Sequence, residues 1–208
     1  ELVATLRQAR NKRVPRSKGA DRRGQIPDML SIHMRPPEIE DRQFPGHWEG
    51  DLMKGAGNAS AVGTLVERTS RLVMLVKLPQ FKPASAANVL QAFTDKLLGI
   101  AQPMRLSMTY DQGKEMALHK KLSEQTGIAV YFCDPHSPWQ RGSNENMNGL
   151  VRQYLPKGTD LSNYSQVQLD AIADEINNRP RKGLGVRSPL AVYRELLLSS
   201  SQHSNLVH

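Results

Sequence analysis

The sequence predicts an α/β fold in which a five-stranded mixed sheet is flanked by helices, and three observations predict it. Three strand patterns come first, separated by short turn-forming stretches rich in Gly, Asn, Thr and Ser. Two further strand patterns follow, each preceded by a helical pattern, and the chain then continues with helical patterns. This order of elements is that of a mixed sheet flanked by helices, whose first three strands are antiparallel.

The predicted strands follow period-two alternation or continuous apolar runs. In the first, Trp48, Gly50 and Leu52 share one face, and Glu49 and Asp51 lie on the other. The second alternates, whereas the third is continuously apolar, as expected of a strand that is covered on both faces. The second and third strands are predicted at residues 62–66 and 72–76, and the fourth and fifth at residues 106–110 and 128–132.

The predicted helices are bounded by residues that start or stop helices. Pro83 and Ser85 begin the first, which runs to about Gly99. The second runs from about Lys114 to Glu124, and Gly127 stops it. The remaining helices begin after residue 138 and span residues 165–178 and 188–198.

The chain of 208 residues divides into a basic flexible arm or linker at 1–30, a core domain at 31–198 and a polar tail at 199–208. Its net charge of +8 favours a polyanionic partner, nucleic acid before a membrane surface. For the arm, a solvated linker and a DNA contact remain alternatives. No apolar stretch approaches a membrane span, and Cys133, the single cysteine, is predicted to be a buried structural thiol in a reducing compartment.

Three carboxylates stand where predicted elements can bring them into one pocket. Asp51 lies in the first strand, Asp111 ends the fourth, and Glu145 opens the third helix. Oxygen ligands suit Mg²⁺, and two such ions about 4 Å apart can clamp the attacking and leaving oxygens of a phosphoryl transfer. Periodicity places Glu49 on the same face as Asp51 and does not choose between them. The other competing acids are Glu67, Glu115 and Asp134.

Polar residues follow one face of the third predicted helix. Arg141, Glu145, Asn148 and Arg152 recur at helical spacing. The apolar stripe on the other side consists of Met147, Leu150, Val151 and Tyr154. A helix face that carries a carboxylate among cations and amides can bind a metal ion and DNA together, while the apolar stripe packs on the sheet.

The sequence around each acid resembles the acid motifs of bacterial insertion-sequence transposases, and of the insertion-sequence-thirty family in particular. The matching stretches are His47-Trp-Glu-Gly-Asp51-Leu, Thr109-Tyr-Asp111-Gln-Gly and Ser137-Pro-Trp-Gln-Arg-Gly-Ser-Asn-Glu145-Asn-Met-Asn-Gly-Leu. In that family the third acid follows the second at the spacing found here. Segments that begin at Ser31 and at Asn177 resemble its lead-in and closing segments, so the resemblance covers roughly residues 31 to 195.

The resemblance implies a ribonuclease H-like integrase core, two Mg²⁺ ions with Mn²⁺ as a substitute, and DNA strand cleavage and transfer. Carried over residue by residue, Asp51, Asp111 and Glu145 are the catalytic residues and the metal ligands, which resolves the ambiguity with Glu49. Trp139 is given a supporting role, packed beneath the helix in preference to stacking on a base.

The residues expected to bind DNA are Arg141, Asn148, Arg152, Arg179, Arg181 and Lys182. Cations at these positions would hold backbone phosphates without reading sequence. For the turn at residues 179–182, a plain solvated loop remains an alternative.

The predicted function is that of the catalytic domain of a DNA transposase, acting on transposon ends and target DNA in the bacterial cytoplasm at the nucleoid. A homo-oligomer is expected in the synaptic complex. The alternatives are a retroviral-type integrase, a ribonuclease H, and a catalytically silent DNA-binding or regulatory fragment. Full-length members of the family carry N-terminal helix-turn-helix modules, and no such pattern precedes residue 31. The chain is therefore expected to be part of a longer protein or a truncated copy.

Overall fold

Six strands form one mixed sheet in the residues that the computed structural model describes, 26–204, with side chains described to residue 200. The strands are Leu30–Ser31 (β1), His47–Lys54 (β2), Ala61–Glu67 (β3), Val73–Lys77 (β4), Ser107–Tyr110 (β5) and Ala129–Phe132 (β6). Their order across the sheet is β1-β6-β5-β2-β3-β4. β2, β3 and β4 pair antiparallel, and the pairs β2–β5, β5–β6 and β1–β6 are parallel.

Five α-helices in the described part of the chain flank this sheet. They are Ala86–Leu98 (α1), His119–Thr126 (α2), Gly142–Val151 (α3), Gln166–Asn178 (α4) and Pro189–Ser204 (α5). The predicted α/β class is confirmed, with six strands in place of five. The additional strand, β1, has two residues and pairs Leu30 with Tyr131, which is too short a stretch for an alternation pattern to reveal.

Two cores lie on the two faces of the sheet, as the alternation of β2 predicts. Trp48 and Leu52 point to the core beneath α1 and α5, where Tyr193 meets Trp48 edge-on with ring centroids 6.3 Å apart. Met53 points to the opposite core, where it packs with Met147 of α3. Glu49 and Asp51 share the face of Met53. The two acids therefore lie on the side of the sheet that α3 and α4 cover.

The second predicted helix is split. Residues 114–116 form a single 3₁₀ turn, and the chain leaves helical geometry at Leu118, with φ −97° and ψ 23°, before α2 begins. Gly127 ends α2 as predicted, in the left-handed conformation at φ 74°, where glycine is free of the steric cost of a side chain.

The folded region extends beyond the predicted limits of the core domain. Ile26 is buried in the core beneath α1, and α5 continues through Ser204. Residues 1–25 of the predicted arm at 1–30, and residues 205–208 of the predicted tail, lie outside the described residues. No helix among residues 26–204 has the length and apolar character needed to cross a membrane.

Two side chains of α4 complete the hydrogen bonding of β4, the last strand of the sheet. Asn177 accepts from the backbone nitrogen of Val73 and donates to its oxygen, at 2.9 and 2.8 Å. Gln166 accepts from the nitrogen of Lys77 at 2.8 Å and donates to the oxygen of Leu75 at 2.9 Å. A free strand edge is a template for unwanted pairing, and α4 covers this one.

Candidate active site

Asp51 and Asp111 lie side by side because their strands are parallel neighbours. β2 and β5 pair in register, with Glu49 opposite Thr109, and each aspartate lies two residues further along its strand direction. Each carboxylate also accepts a backbone hydrogen bond of 2.9 Å, Asp51 from the nitrogen of Leu52 and Asp111 from that of Gly113. The two strands are thus neighbours, which is the condition for a pocket shared by the two aspartates.

Arg141 stands between the two aspartates. Its Nη1 lies 3.4 Å from Asp51 Oδ1, and its Nη2 lies 3.3 Å from Asp111 Oδ2. Nη1 also donates to the carbonyl oxygen of Gly50 at 3.0 Å. One guanidinium therefore bridges both carboxylates and the strand that carries the first.

The charges of this group shift its pKa values. Burial lowers the pKa of Arg141, but the negative charges of Asp51 and Asp111 outweigh burial, and the pKa lies above its ordinary value. Burial raises the pKa of Asp51, an effect that Arg141 opposes and the charge of Asp111 reinforces. The pair of carboxylates thus attracts positive charge.

Gly50 allows the two strands to pack closely behind this pair. A Cβ at this position would lie 2.8 Å from the ring of Tyr110 and 3.0 Å from the sulfur of Met108. Both side chains are fully buried. A larger residue between Glu49 and Asp51 would therefore displace β5, which leads into Asp111.

Glu145, the third predicted acid, is not joined to the aspartates in this structure. It is exposed in the first turn of α3, and its side chain makes no hydrogen bond or ion pair with the described residues. Within residues 26–204, no three His, Cys, Asp or Glu side chains are grouped so that they can hold a metal ion. The same helix does reach the pair through Asn148, whose Nδ2 donates to Asp51 Oδ2 at 2.8 Å.

The residues at the pair fit a divalent cation. The carboxylates of Asp51 and Asp111 are hard oxygen donors that already share one cationic group, Arg141. Beside them, Asn148 Oδ1 is buried without a hydrogen-bond partner in the described chain and is a further oxygen donor. The ligand chemistry therefore suits Mg²⁺ or Mn²⁺.

Glu115 remains a competing acid near the pair. Burial raises its pKa, and the negative charges of Asp111 and Asp51 raise it further. Its carboxylate lies over Gly113, where an added Cβ would come within 2.4 Å of it. Proximity to both aspartates thus distinguishes Glu115 from the other acids that the sequence left open.

Two of those acids have structural partners elsewhere. Glu67 is buried and accepts hydrogen bonds of 2.6 Å from the nitrogen and the hydroxyl of Ser70, in the turn between β3 and β4. Asp134 accepts from Gln140 Nε2 at 2.8 Å and lies 2.9 Å from His33 Nε2. Both acids stabilise turns.

Glu49, the rival of Asp51, lies beneath α3. It is fully buried, and its Oε1 accepts from Arg68 Nη1 at 3.2 Å. Its Oε2 accepts from the backbone nitrogen of Asn144 at 2.8 Å. Sequence reasoning missed this contact, because alternation gives a side chain's face and not the element that covers it.

Three of the predicted DNA-binding residues have partners inside the fold, and one of them is Asn148, which donates to Asp51. Arg141 departs from the predicted helical face, because its backbone is not helical (φ −126°, ψ 37°) and its side chain turns to the aspartates. Arg152 donates to the backbone oxygens of Lys54 and Leu155, at 2.9 and 3.3 Å. The predicted alignment of Arg141 and Arg152 on one face is therefore wrong for Arg141.

In the basic turn that follows α4, two of the three predicted DNA-binding side chains have partners within the chain. Arg179 pairs with Glu175 at 2.7 Å and contacts the hydroxyl of Tyr154. Arg181 donates to the oxygen of Ile176 at 3.1 Å. Lys182 is exposed, and its side chain forms no hydrogen bond or ion pair with the described chain.

Trp139 is 72% exposed, so the prediction that it packs beneath the helix is wrong. It lies in a 3₁₀ turn at residues 138–141, and the side chains of the next two residues are hydrogen-bonded or ion-paired. Gln140 bonds to Asp134, and Arg141 bonds to the aspartate pair. The indole is therefore presented to solvent from a fixed turn beside the acids.

Cys133 is buried, as predicted. Burial raises the pKa of its thiol to about 11, so the thiolate is scarce at neutral pH.

Comparison with known proteins identifies the family. Residues 41–138 match the model of the integrase core domain, a range that includes Asp51 and Asp111 and ends before Glu145. The transposase for insertion sequence element IS1086 of Cupriavidus metallidurans is 66% identical over 197 residues, which cover 95% of this chain and 57% of that protein. Transposase InsI for insertion sequence element IS30A of Escherichia coli is 49% identical over 158 residues, 76% of this chain and 40% of that protein.

A solved structure supports the fold. The catalytic core domain of BIV integrase has a TM-score of 0.54 and 20% identity, and the match covers 77% of this chain and 98% of that domain. At this identity the likeness shows the fold alone, which is the predicted ribonuclease H-like integrase core. The chain spans about half the length of the curated relatives it matches. The chain belongs to the insertion-sequence-thirty family of bacterial transposases and carries their integrase core domain.

Proposed function

We propose that this chain is the catalytic domain of a DNA transposase. It would cut a phosphodiester bond at a transposon end and join the resulting 3′-hydroxyl to target DNA at the same site. The observation that carries the proposal is the arrangement of Asp51 within β2 and Asp111 directly after the neighbouring β5, bridged by Arg141. We assign this activity to the core at residues 31–198.

The residues that would hold the metal are Asp51, Asp111 and Glu145. Two Mg²⁺ ions, or Mn²⁺ in their place, would supply Lewis-acid activation of the attacking oxygen and stabilisation of the leaving oxygen. Glu145 is exposed on α3, the helix that contacts Asp51 through Asn148, which supports its choice as the third ligand.

The chain's own groups orient the acids before substrate binds. The backbone nitrogen of Leu52 and the amide of Asn148 each hold one oxygen of Asp51. The nitrogen of Gly113 holds one oxygen of Asp111, and Arg141 reaches the other. Fixed donors of this kind lower the reorganisation needed at the moment of reaction. Both steps then need positioning and charge neutralisation, and neither needs a covalent enzyme intermediate.

DNA is the proposed partner. The net charge of +8 favours binding to a polyanion, and the exposed Lys182 and Trp139 offer a phosphate contact and an aromatic surface. Arg141, Asn148, Arg152, Arg179 and Arg181 would contribute once DNA competes for their present partners. We further propose a homo-oligomer that pairs two transposon ends, working in the cytoplasm at the nucleoid.

A cleavage assay tests the proposal. The chain is incubated with terminal inverted-repeat DNA and Mg²⁺ or Mn²⁺, beside Glu145→Gln and the control Glu124→Gln, which removes an exposed carboxylate on α2. We expect nicking by the wild type and the control, and a loss of at least about 100-fold in Glu145→Gln. Equal nicking by all three proteins would contradict the assignment of Glu145.

The second candidate is a catalytically silent DNA-binding or regulatory fragment. One observation favours it: within residues 26–204, Glu145 is not grouped with the two aspartates in a cluster that could hold a metal ion. DNA binding without nicking by any of the three proteins would support this candidate. Absence of DNA binding would reject both functions.

A further inference from the structure

Helix α3 begins without a capping side chain of its own. The first amides of any helix lack intrahelical acceptors, and a side chain next to the helix start usually supplies one. Arg141 occupies the capping position, and its side chain makes no such bond. The acceptor comes from the sheet instead, because Glu49 Oε2 accepts from the backbone nitrogen of Asn144 at 2.8 Å. A carboxylate is also the favourable charge at a helix N-terminus.

The side chain of Asn144 ties the same turn to two strands. Its Nδ2 donates to the backbone oxygen of Glu49 in β2 at 2.8 Å, and its Oδ1 accepts from the hydroxyl of Thr64 in β3 at 3.1 Å. Asn144, Glu49 and Thr64 are all fully buried. The residue that precedes Glu145 is therefore fixed by three hydrogen bonds.

A second contact sets the register of α3 along β2. Asn148 donates to Asp51, one helical turn after Asn144 and two strand residues after Glu49. Four residues of helix rise about 6 Å, and two residues of strand rise about 6.6 Å. The pairs 49–144 and 51–148 therefore match in length, and Glu145 lies between their helical ends.

We propose that Glu49 is a positioning residue of the strand-cleavage site, which acts through Asn144 to set where Glu145 stands relative to Asp51. This inference rests on the proposed function. Arg68 holds the second oxygen of Glu49, so the carboxylate has a fixed orientation. A buried ion pair adds little net stability compared with apolar residues of the same volume, so stability alone does not favour a carboxylate here.

Hydrogen exchange tests the anchor without any need for activity. We expect exchange of the amide at residue 144 to be about tenfold faster in Glu49→Gln, because a neutral acceptor replaces a charged one. The matched control is Glu67→Gln, which alters a buried carboxylate that accepts from the nitrogen and the hydroxyl of Ser70 and makes no hydrogen bond to Asn144. An equal change in the control, or no change in Glu49→Gln, would overturn the anchor.

Kinetics test the positioning role. We expect Glu49→Gln and Asn144→Ala to lower kcat for DNA cleavage at least about tenfold with DNA affinity kept within about twofold, because displacement of a reacting group costs rate and not binding. Asn144→Ala leaves the Glu49–Arg68 pair in place, so it remains informative if Glu49→Gln folds poorly. Glu67→Gln is expected to lose stability and to keep its kcat.

The outcomes separate this inference from the proposed function. If the wild type cleaves DNA and both Glu49→Gln and Asn144→Ala keep the wild-type kcat, the positioning role is overturned. If the wild type binds DNA and never cleaves it, the proposed function fails. Faster exchange at residue 144 would then still support Glu49 as the anchor of α3, and unchanged exchange would overturn it.

Discussion

The Asn177→Ala substitution is expected to lower the free energy of unfolding by about 3 kcal/mol, because one side chain satisfies both backbone polar groups of Val73. The amide oxygen accepts from the Val73 nitrogen at 2.9 Å, and the amide nitrogen donates to its oxygen at 2.8 Å. Asn177 and Val73 are both buried, and β4 has no strand on its other side. Alanine would leave two buried groups without partners.

The magnitude follows from the cost of an unmade hydrogen bond. A buried donor or acceptor that loses its partner costs about 1–3 kcal/mol, so two of them cost about 2–6 kcal/mol. Truncation to alanine opens polar space that water can enter, and a bridging water recovers part of this loss. The expected value therefore lies in the lower half of the range.

Equilibrium unfolding in urea, followed by circular dichroism, measures this change. The control is Asn178→Ala, because Asn178 is the exposed neighbour and bonds only to the oxygen of Asp174, at 2.8 Å. The control is expected to change stability by less than about 0.5 kcal/mol, as is usual for exposed sites. A loss in Asn177→Ala that matches the control would refute the reasoning that this side chain seals the edge of β4.

Three further predictions concern single side chains. Burial, reinforced by nearby arginine charges, lowers the pKa of His47 to about 4 from 6.5. Between these values the unfolded chain takes up a proton that the folded chain does not, so stability falls as pH falls. Relative to His47→Gln, we expect the wild type to lose about 2 kcal/mol of unfolding free energy between pH 7 and pH 5. Urea titrations at each pH measure this loss, and an equal loss in both proteins would contradict the prediction. DNA is expected to quench the fluorescence of the wild type and not of Trp139→Phe, because Trp48, the other tryptophan, is fully buried; quenching that survives the substitution would reject a contact at Trp139. Cys133 is expected to react slowly with a thiol reagent at neutral pH until urea unfolds the chain, since its pKa is about 11, and rapid labelling of the folded protein would contradict its burial.

The fold could be predicted wherever a pattern was long enough to show its period. β2, with eight residues, displays the alternation that places Trp48 and Asp51 on opposite faces. β1 has two residues and exists because β6 offers it a partner, which is a tertiary cause. The break at Leu118 is likewise invisible in the composition of residues 114–124. Contacts between distant elements, such as Asn177 with Val73, leave no local signal.

The sequence predicted which elements and motifs carry the candidate site, but it predicted few of the side-chain contacts within it. Pairing of β2 with β5 brings Asp51 and Asp111 together, an arrangement that the sequence allowed and did not by itself require. Glu49 and Asp51 share a face, so period alone could not separate them. What separates them is the neighbour that each meets, Asn144 for Glu49 and Arg141 for Asp51. Such neighbours are fixed only when α3 docks on the sheet.

Arg141 shows why motif spacing does not determine geometry. Helical spacing places it on one face with Glu145, yet a change of backbone direction before α3 sends its side chain to the aspartates. The position of α3 depends in turn on Glu49 and Asn144, which are fully buried. Buried contacts of this kind tolerate little displacement, because protein interiors are close-packed. The position of the exposed Glu145 therefore depends on side chains that solvent does not reach.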